Sequence, residues 1–60
     1  MSKVNAKAIS GYLGQYFAGG AYAEGVVSAC LAMANGESGF RALKHGIAMA
    51  RKFEISGIAS

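Results

Sequence analysis

The sequence contains no aspartate, one histidine and one cysteine, and each shortage excludes a class of site. A single thiol, Cys30, cannot form a disulfide within the chain, and one His with one Cys cannot complete a four-ligand zinc site. No carboxylate of Asp is present to orient His45, and no cation adjoins Cys30 in sequence, so we expect Cys30 to be a small buried hydrophobe. The chain also has no dinucleotide fingerprint, P-loop, CxxC or HExxH pattern. We therefore expect no catalytic residues, no metal, no cofactor, no small-molecule substrate and no enzymatic activity.

The chain is short for the apolar surface that it carries. Sixty residues form one domain, 1–60, and such a domain buries only about 60% of its unfolded surface. Hydrophobic residues make up 53% of the sequence, with nine glycines and no proline. Small domains usually need stabilisation beyond their hydrophobic core, and without a disulfide or a metal the remaining source is association with another chain. We expect a homo-oligomer, or a unit that docks on something larger.

Acidic residues are scarce, since six Lys and Arg oppose three Glu, for a net charge of +3. The basic residues lie near the two ends of the chain, which favours a polyanionic partner, either nucleic acid or anionic lipid. The start, MSKVNAKAIS, places lysines before an apolar run that is too interrupted for a signal peptide. A cytoplasmic or particle-associated protein is therefore favoured over a secreted one.

The longest stretch without Lys or Arg, residues 8–34, exceeds the roughly 20 residues that a bilayer requires. However, Glu24 would lie near the middle of a span, at a cost of about 2.5 to 3.5 kcal/mol. We expect no single lipid-exposed span, whereas an assembled span with Glu24 turned inward stays open.

Hydrophobic periodicity predicts an all-α fold, either a helical hairpin or a three-helix unit. Apolar residues from Val4 to Phe17 recur at i, i+4 and i+5, which predicts a first helix over about 4–18, with a strand through 11–17 as the alternative. A second helix over 21–35 is apolar nearly all round and should be buried on most sides. Between them, Gly19-Gly20 either ends the first helix or marks a kink.

A turn over 35–39 and a final helix over 39–57 complete the predicted fold. Asn35 and Gly36 can take positive φ, and Ser38 can cap the final helix. One side of that helix is apolar: Phe40, Leu43, Ile47, Met49, Ala50 and Phe53. The other side carries the predicted polyanion-binding residues: Arg41, Lys44, His45, Arg51 and Lys52. A solvated face opposite a core is the plainer interpretation of this pattern.

Small residues spaced four apart suggest close helix packing between copies of the chain. The predicted self-association residues are these small residues and three larger ones from the second helix: Gly14, Ala18, Ala21, Gly25, Ala29, Val26, Leu31 and Met33. Glu24 is predicted to fix the register by pairing with a basic residue of a neighbouring chain. The alternatives are ordinary core packing for the small residues and a solvent-exposed polar strip, Glu24 with Ser28.

These features favour a non-enzymatic, self-assembling structural subunit whose basic last helix faces nucleic acid or another polyanion. An apolar helical middle before a basic C-terminal segment is similar to the layout of filamentous-phage coat proteins, which implies a virion-coat-like or filament-like subunit. A second hypothesis is a cationic membrane-active peptide, because the stretch GQYFAGG resembles bacteriocins and Gly19-Gly20 resembles a double-glycine cleavage point. A third hypothesis is a small dimeric helical binding module.

Overall fold

The chain folds as three α-helices in a computed structural model that describes the backbone of residues 5–59 and the side chains of residues 5–56. The helices are α1 (Ala6–Tyr16), α2 (Gly19–Ala34) and α3 (Gly39–Ala59). No strand occurs over residues 5–59, so the predicted all-α class is confirmed in its three-helix form and the strand alternative for 11–17 is wrong.

Helix α1 begins after a side-chain cap. The side chain of Asn5 accepts a hydrogen bond from the backbone N–H of Ala8 at 2.9 Å. The predicted start at Val4 lies outside the described residues.

The link between α1 and α2 precedes the two glycines. Phe17 and Ala18 are extended and end α1. Gly19, at φ +59°, and Gly20 are the first residues of α2, so they neither end α1 nor kink a continuous helix.

The turn between α2 and α3 matches the predicted position. Gly36 takes φ +93°, and its N–H donates to Met33 O at 3.0 Å while the N–H of Glu37 donates to Ala32 O at 3.0 Å. This pair of bonds is the Schellman arrangement that ends a helix. Asn35, at φ −88°, does not share the positive φ predicted for it. Ser38 Oγ accepts a hydrogen bond from the N–H of Arg41 at 3.3 Å and thus caps α3.

Helices α2 and α3 form an antiparallel hairpin that packs backbone against backbone at two glycines. A Cβ atom placed on Gly25 would lie 2.9 Å from Gly46 O, and one placed on Gly46 would lie 2.8 Å from Gly25 O. Both distances are too short for any real side chain, so glycine is required at this crossing. The remaining residues of the contact are buried alanines: Ala21, Ala29 and Ala32 on α2, and Ala42 and Ala50 on α3.

Helix α1 closes one side of the hairpin. Its Ile9 and Leu13 are the largest fully buried side chains among the described residues, and Leu13 Cδ1 lies 3.3 Å from the position of an added Cβ on either crossing glycine. Ser10 Oγ and Tyr22 Oη form a hydrogen bond that ties α1 to α2. Half-buried apolar side chains surround this core: Phe17, Tyr22, Val26, Met33, Leu43 and Ile47.

The buried face of α3 agrees with the predicted one only in part. Ala50 is buried and Leu43 and Ile47 are half-buried, as predicted. The residues in closest contact are Ala42, Gly46 and Ala50, because only small residues allow the two helix backbones to approach. The predicted core residues Phe40 and Met49 are exposed, and the exposed Phe53 places its ring over Gly20 at one end of the hairpin.

Three further burial predictions are wrong. Cys30 is exposed. Helix α2 is buried along one face only, because α1 and α3 leave its opposite face uncovered. On α1, Tyr12 and Tyr16 belong to the apolar pattern but are exposed, whereas Ile9 and Leu13 are the residues of that pattern that are buried against the hairpin.

Candidate functional site

The predicted polyanion-binding residues are all exposed on α3. Three of them, Arg41, Lys44 and His45, line one open depression of about 440 Å³ near the start of the helix, together with Glu37. These three basic side chains are therefore close enough to contact one extended polyanion.

A carboxylate lies within this basic group. Glu37 Oε2 is 3.6 Å from His45 Nε2, which is the single close contact between a carboxylate and a basic side chain among residues 5–56. The backbone carbonyl of His45 also accepts a hydrogen bond from Ser28 Oγ at 3.4 Å, which ties the backbone of α3 to α2 at this point. Glu37 reduces the positive potential at His45, which leaves Arg41 and Lys44 as the stronger cations of the group.

Arg51 and Lys52 are adjacent in sequence but lie on different sides of α3. Arg51 lines a groove of about 170 Å³ between α1 and α3, whose other residues are Tyr12, Tyr16, Phe17 and Ile47. Lys52 lines a separate depression of about 210 Å³ on the opposite side of the hairpin, whose other residues are Glu24, Met49, Phe53 and Ser56. The predicted basic residues therefore do not form one continuous surface. Arg51 lies beside aromatic side chains, and Lys52 lies in a different depression.

The tyrosines of this groove are absent from the predicted site. Tyr12 and Tyr16 are one helical turn apart, their ring centroids are 5.0 Å apart and the ring planes are tilted by 45°. Their i, i+4 spacing predicts that the two rings touch, but it does not predict that both face solvent beside Arg51. That placement depends on how α1 sits in the hairpin, which the sequence pattern did not define.

The predicted self-association residues do not share one surface. Ala21, Gly25 and Ala29 are buried against α3 of the same chain. A Cβ atom placed on Gly14 would lie 3.6 Å from the Tyr22 ring. Ala18 lies in the extended link between α1 and α2. Val26 and Met33 are half-buried beside α1, and Leu31 is exposed. Contact between copies would therefore have to use residues outside the small-residue ridge, while pairing of the exposed Glu24 with a neighbouring chain stays a prediction.

The side of α2 that faces away from α3 is apolar and uncovered. We call it the outer face of α2, and its residues are Ala23, Val27, Cys30, Leu31 and Ala34. All five are exposed, with Val27 at 55% and Leu31 at 60%, and none carries a charge. Exposed single apolar residues are ordinary in proteins, whereas contiguous apolar patches of more than a few hundred Å² mark interaction surfaces.

Sites of other kinds are not found in the described part of the chain. No three His, Cys, Asp or Glu residues lie together where they could hold a metal ion. None of the described helices combines the length and the apolar character that crossing a bilayer requires. Comparison with known proteins finds no matching family model, no matching curated protein and no matching solved structure.

Proposed function

We propose that the chain is a non-enzymatic subunit that associates with copies of itself through the outer face of α2 and presents α3 to a polyanion. The observation that supports this proposal most strongly is the contrast between the two outer edges of the hairpin. One edge, on α2, is apolar and carries no cation, with Glu24 at its margin, and the other, on α3, carries the predicted basic residues.

A second copy of the same chain fits the outer face of α2 for an electrostatic reason. The chain carries a net charge of +3, so two copies repel each other across most pairs of surfaces. The outer face of α2 contains no cation, so contact there avoids the repulsion and removes Val27 and Leu31 from water. A two-fold contact uses the same patch on both copies and closes on two chains.

Such a dimer would present one α3 on each outer flank. Because an isologous contact closes, a larger particle would have to form on the polyanion, which the two basic flanks could contact on opposite sides. The proposed subunit is therefore a dimer that bridges or coats nucleic acid or another polyanion.

Salt dependence of polyanion binding tests the role of α3. Each phosphate neutralised by a Lys or Arg contributes about 0.7 to 0.9 to the slope of log affinity against log salt. Replacing the two cations that share one depression, in the double variant Arg41→Gln, Lys44→Gln, should therefore make the slope shallower by about 1.4 to 1.8, as measured by fluorescence anisotropy with a labelled oligonucleotide.

The control for this measurement is Lys7→Gln, which removes an exposed cation from α1 rather than α3. It should leave the slope nearly unchanged. An unchanged slope in the double variant, or an equal loss per charge in Lys7→Gln, would show that α3 is not the contact surface.

Light scattering separates this proposal from its alternatives. A particle that grows when polyanion is added supports the structural subunit, whereas a dimer that stays a dimer on the polyanion favours a small binding module. Helicity, measured by circular dichroism, that appears only with anionic vesicles favours a membrane-active peptide.

A further inference from the structure

We infer that the groove between α1 and α3, lined by Tyr12, Tyr16, Phe17, Ile47 and Arg51, binds an unpaired base of single-stranded nucleic acid. The inference rests on the proposed function and makes it more specific, because it names which polyanion α3 contacts. A duplex, a polyphosphate or a lipid surface offers charge, but only a single strand also offers free base faces.

Two of the three aromatic side chains of the groove, Tyr12 and Tyr16, are exposed although they belong to an apolar pattern. Tyr16 is 63% exposed, and its ring stands at the end of α1, where the chain turns away into the extended residues Phe17 and Ala18. Tyr12 lies one turn earlier, with its ring tilted by 45° against that of Tyr16. Stacking on an exposed aromatic ring is the main way in which proteins hold unpaired bases.

The charge at the groove matches a nucleotide. Arg51 lines it from the α3 side, and none of its five lining residues is acidic. A guanidinium donates to phosphate oxygens in a bidentate manner and also stacks on aromatic rings. Glu54, one turn beyond Arg51, is exposed but does not line the groove. A base on Tyr16 would thus have a cation within reach of its own phosphate.

The basic group at the other end of α3 extends this arrangement. Arg41 and Lys44 precede Arg51 by ten and seven residues, which is about 10 to 15 Å along a helix. A strand whose base occupies the groove can continue along α3 toward these two cations. The groove supplies base contacts and the start of α3 supplies backbone contacts, a combination that is typical of single-strand binding.

The test compares two oligomers of equal length and charge, oligo(dT) and an abasic deoxyribose-phosphate strand, by fluorescence anisotropy. The wild-type chain should bind oligo(dT) about tenfold more tightly than the abasic strand, because only oligo(dT) can stack. Tyr16→Leu, which keeps an apolar side chain at an exposed position, should bind both strands equally.

Phe40→Leu is the matched control. Phe40 is 57% exposed on α3 and does not line the groove, so this variant loses an exposed aromatic ring without touching the proposed site. It should keep the tenfold preference. Tyrosine fluorescence gives a second readout, since oligo(dT) should quench the wild type and Phe40→Leu more than Tyr16→Leu.

The outcomes separate this inference from the proposed function. Equal binding of both strands by the wild type, or equal losses in Tyr16→Leu and Phe40→Leu, would overturn base binding and leave polyanion binding standing. No binding of either strand would overturn both. Vesicles of phosphatidylglycerol that bind more tightly than oligo(dT), with the loss again at Tyr16→Leu, would assign the groove to lipid and overturn the inference.

Discussion

At the scale of single residues, two glycines determine how closely the hairpin packs. Gly25 and Gly46 each face the carbonyl oxygen of the other, and neither position has room for a Cβ. The flanking alanines Ala29 and Ala50 are fully buried, so the contact is formed by backbone and methyl groups. Larger side chains are excluded from this contact, which is why Phe40 and Met49 lie at its margins or outside it.

Gly25→Ala should destabilise the fold. The new methyl group would meet a backbone oxygen that cannot rotate away, and overpacking of this kind costs about 1 to 3 kcal/mol in the free energy of unfolding. Urea unfolding followed by circular dichroism measures the change.

Gly11→Ala is the control for this prediction, because Gly11 is also helical but an added Cβ there meets nothing within 4 Å. It should raise the free energy of unfolding by about 0.5 to 1 kcal/mol, which is the usual gain from Gly to Ala in a helix. A Gly25→Ala variant as stable as Gly11→Ala would contradict the close crossing.

One side of this contact was predicted from the sequence and the other was not. The ridge Ala21, Gly25 and Ala29 is recognisable from its small residues spaced four apart. The matching ridge Ala42, Gly46 and Ala50 lies among larger apolar residues, and periodicity weights those more strongly. Moreover, a small-residue ridge does not say whether its partner is the same chain or another copy, and the structure shows the same chain.

At the scale of elements, the signals for helix ends were more informative than those for helix faces. The turn over 35–39 was predicted from Asn, Gly and Ser, and the structure places the positive φ and the cap there, at Gly36 and Ser38. These signals are local, so they do not depend on tertiary packing. The faces of α1 and α3 depend on which neighbour each helix meets, and there the prediction holds only in part. Leu13 and Ala50 are buried as predicted, whereas Tyr16 and Phe40 are exposed.

Gly36→Ala should destabilise the hairpin. At φ +93° an L side chain is strained, at a cost of about 1 to 2 kcal/mol, and the Schellman hydrogen bonds hold the residue in that conformation. The midpoint of thermal unfolding should fall. Asn35→Ala, at an exposed neighbour with φ −88°, should leave the midpoint nearly unchanged. Equal midpoints in the two variants would mean that the turn does not require this conformation.

At the scale of the whole molecule, the chain has two chemically different edges. Its described helices form a thin body, 40 × 22 × 13 Å in extent, so little of the chain is far from solvent. Helix α1 covers one side of the hairpin but leaves the outer face of α2 exposed. The sequence suggested that the middle of the chain needs a further covering, and the structure locates the uncovered residues at Val27 and Leu31.

The size of this edge also predicts how strong the association is. A helix of 16 residues is about 24 Å long, and a single face of it is smaller than the roughly 800 Å² per partner of a standard interface. We therefore expect a dimer that dissociates on dilution, unless a bound polyanion holds the copies together.

The most direct test of self-association measures the molar mass of the wild type and of two variants, Leu31→Glu and Ile55→Glu. Sedimentation equilibrium gives this mass across a dilution series without polyanion. Leu31→Glu and Ile55→Glu each lower the net charge from +3 to +2 at a highly exposed apolar residue, 60% and 69% exposed respectively. Only Leu31 lies on the outer face of α2. The mass of the wild type and of Ile55→Glu should rise from the 6.1 kDa of one chain toward twice that value, while Leu31→Glu should stay at 6.1 kDa. A wild-type mass of 6.1 kDa at every concentration, or a Leu31→Glu variant that associates like the wild type, would contradict the account.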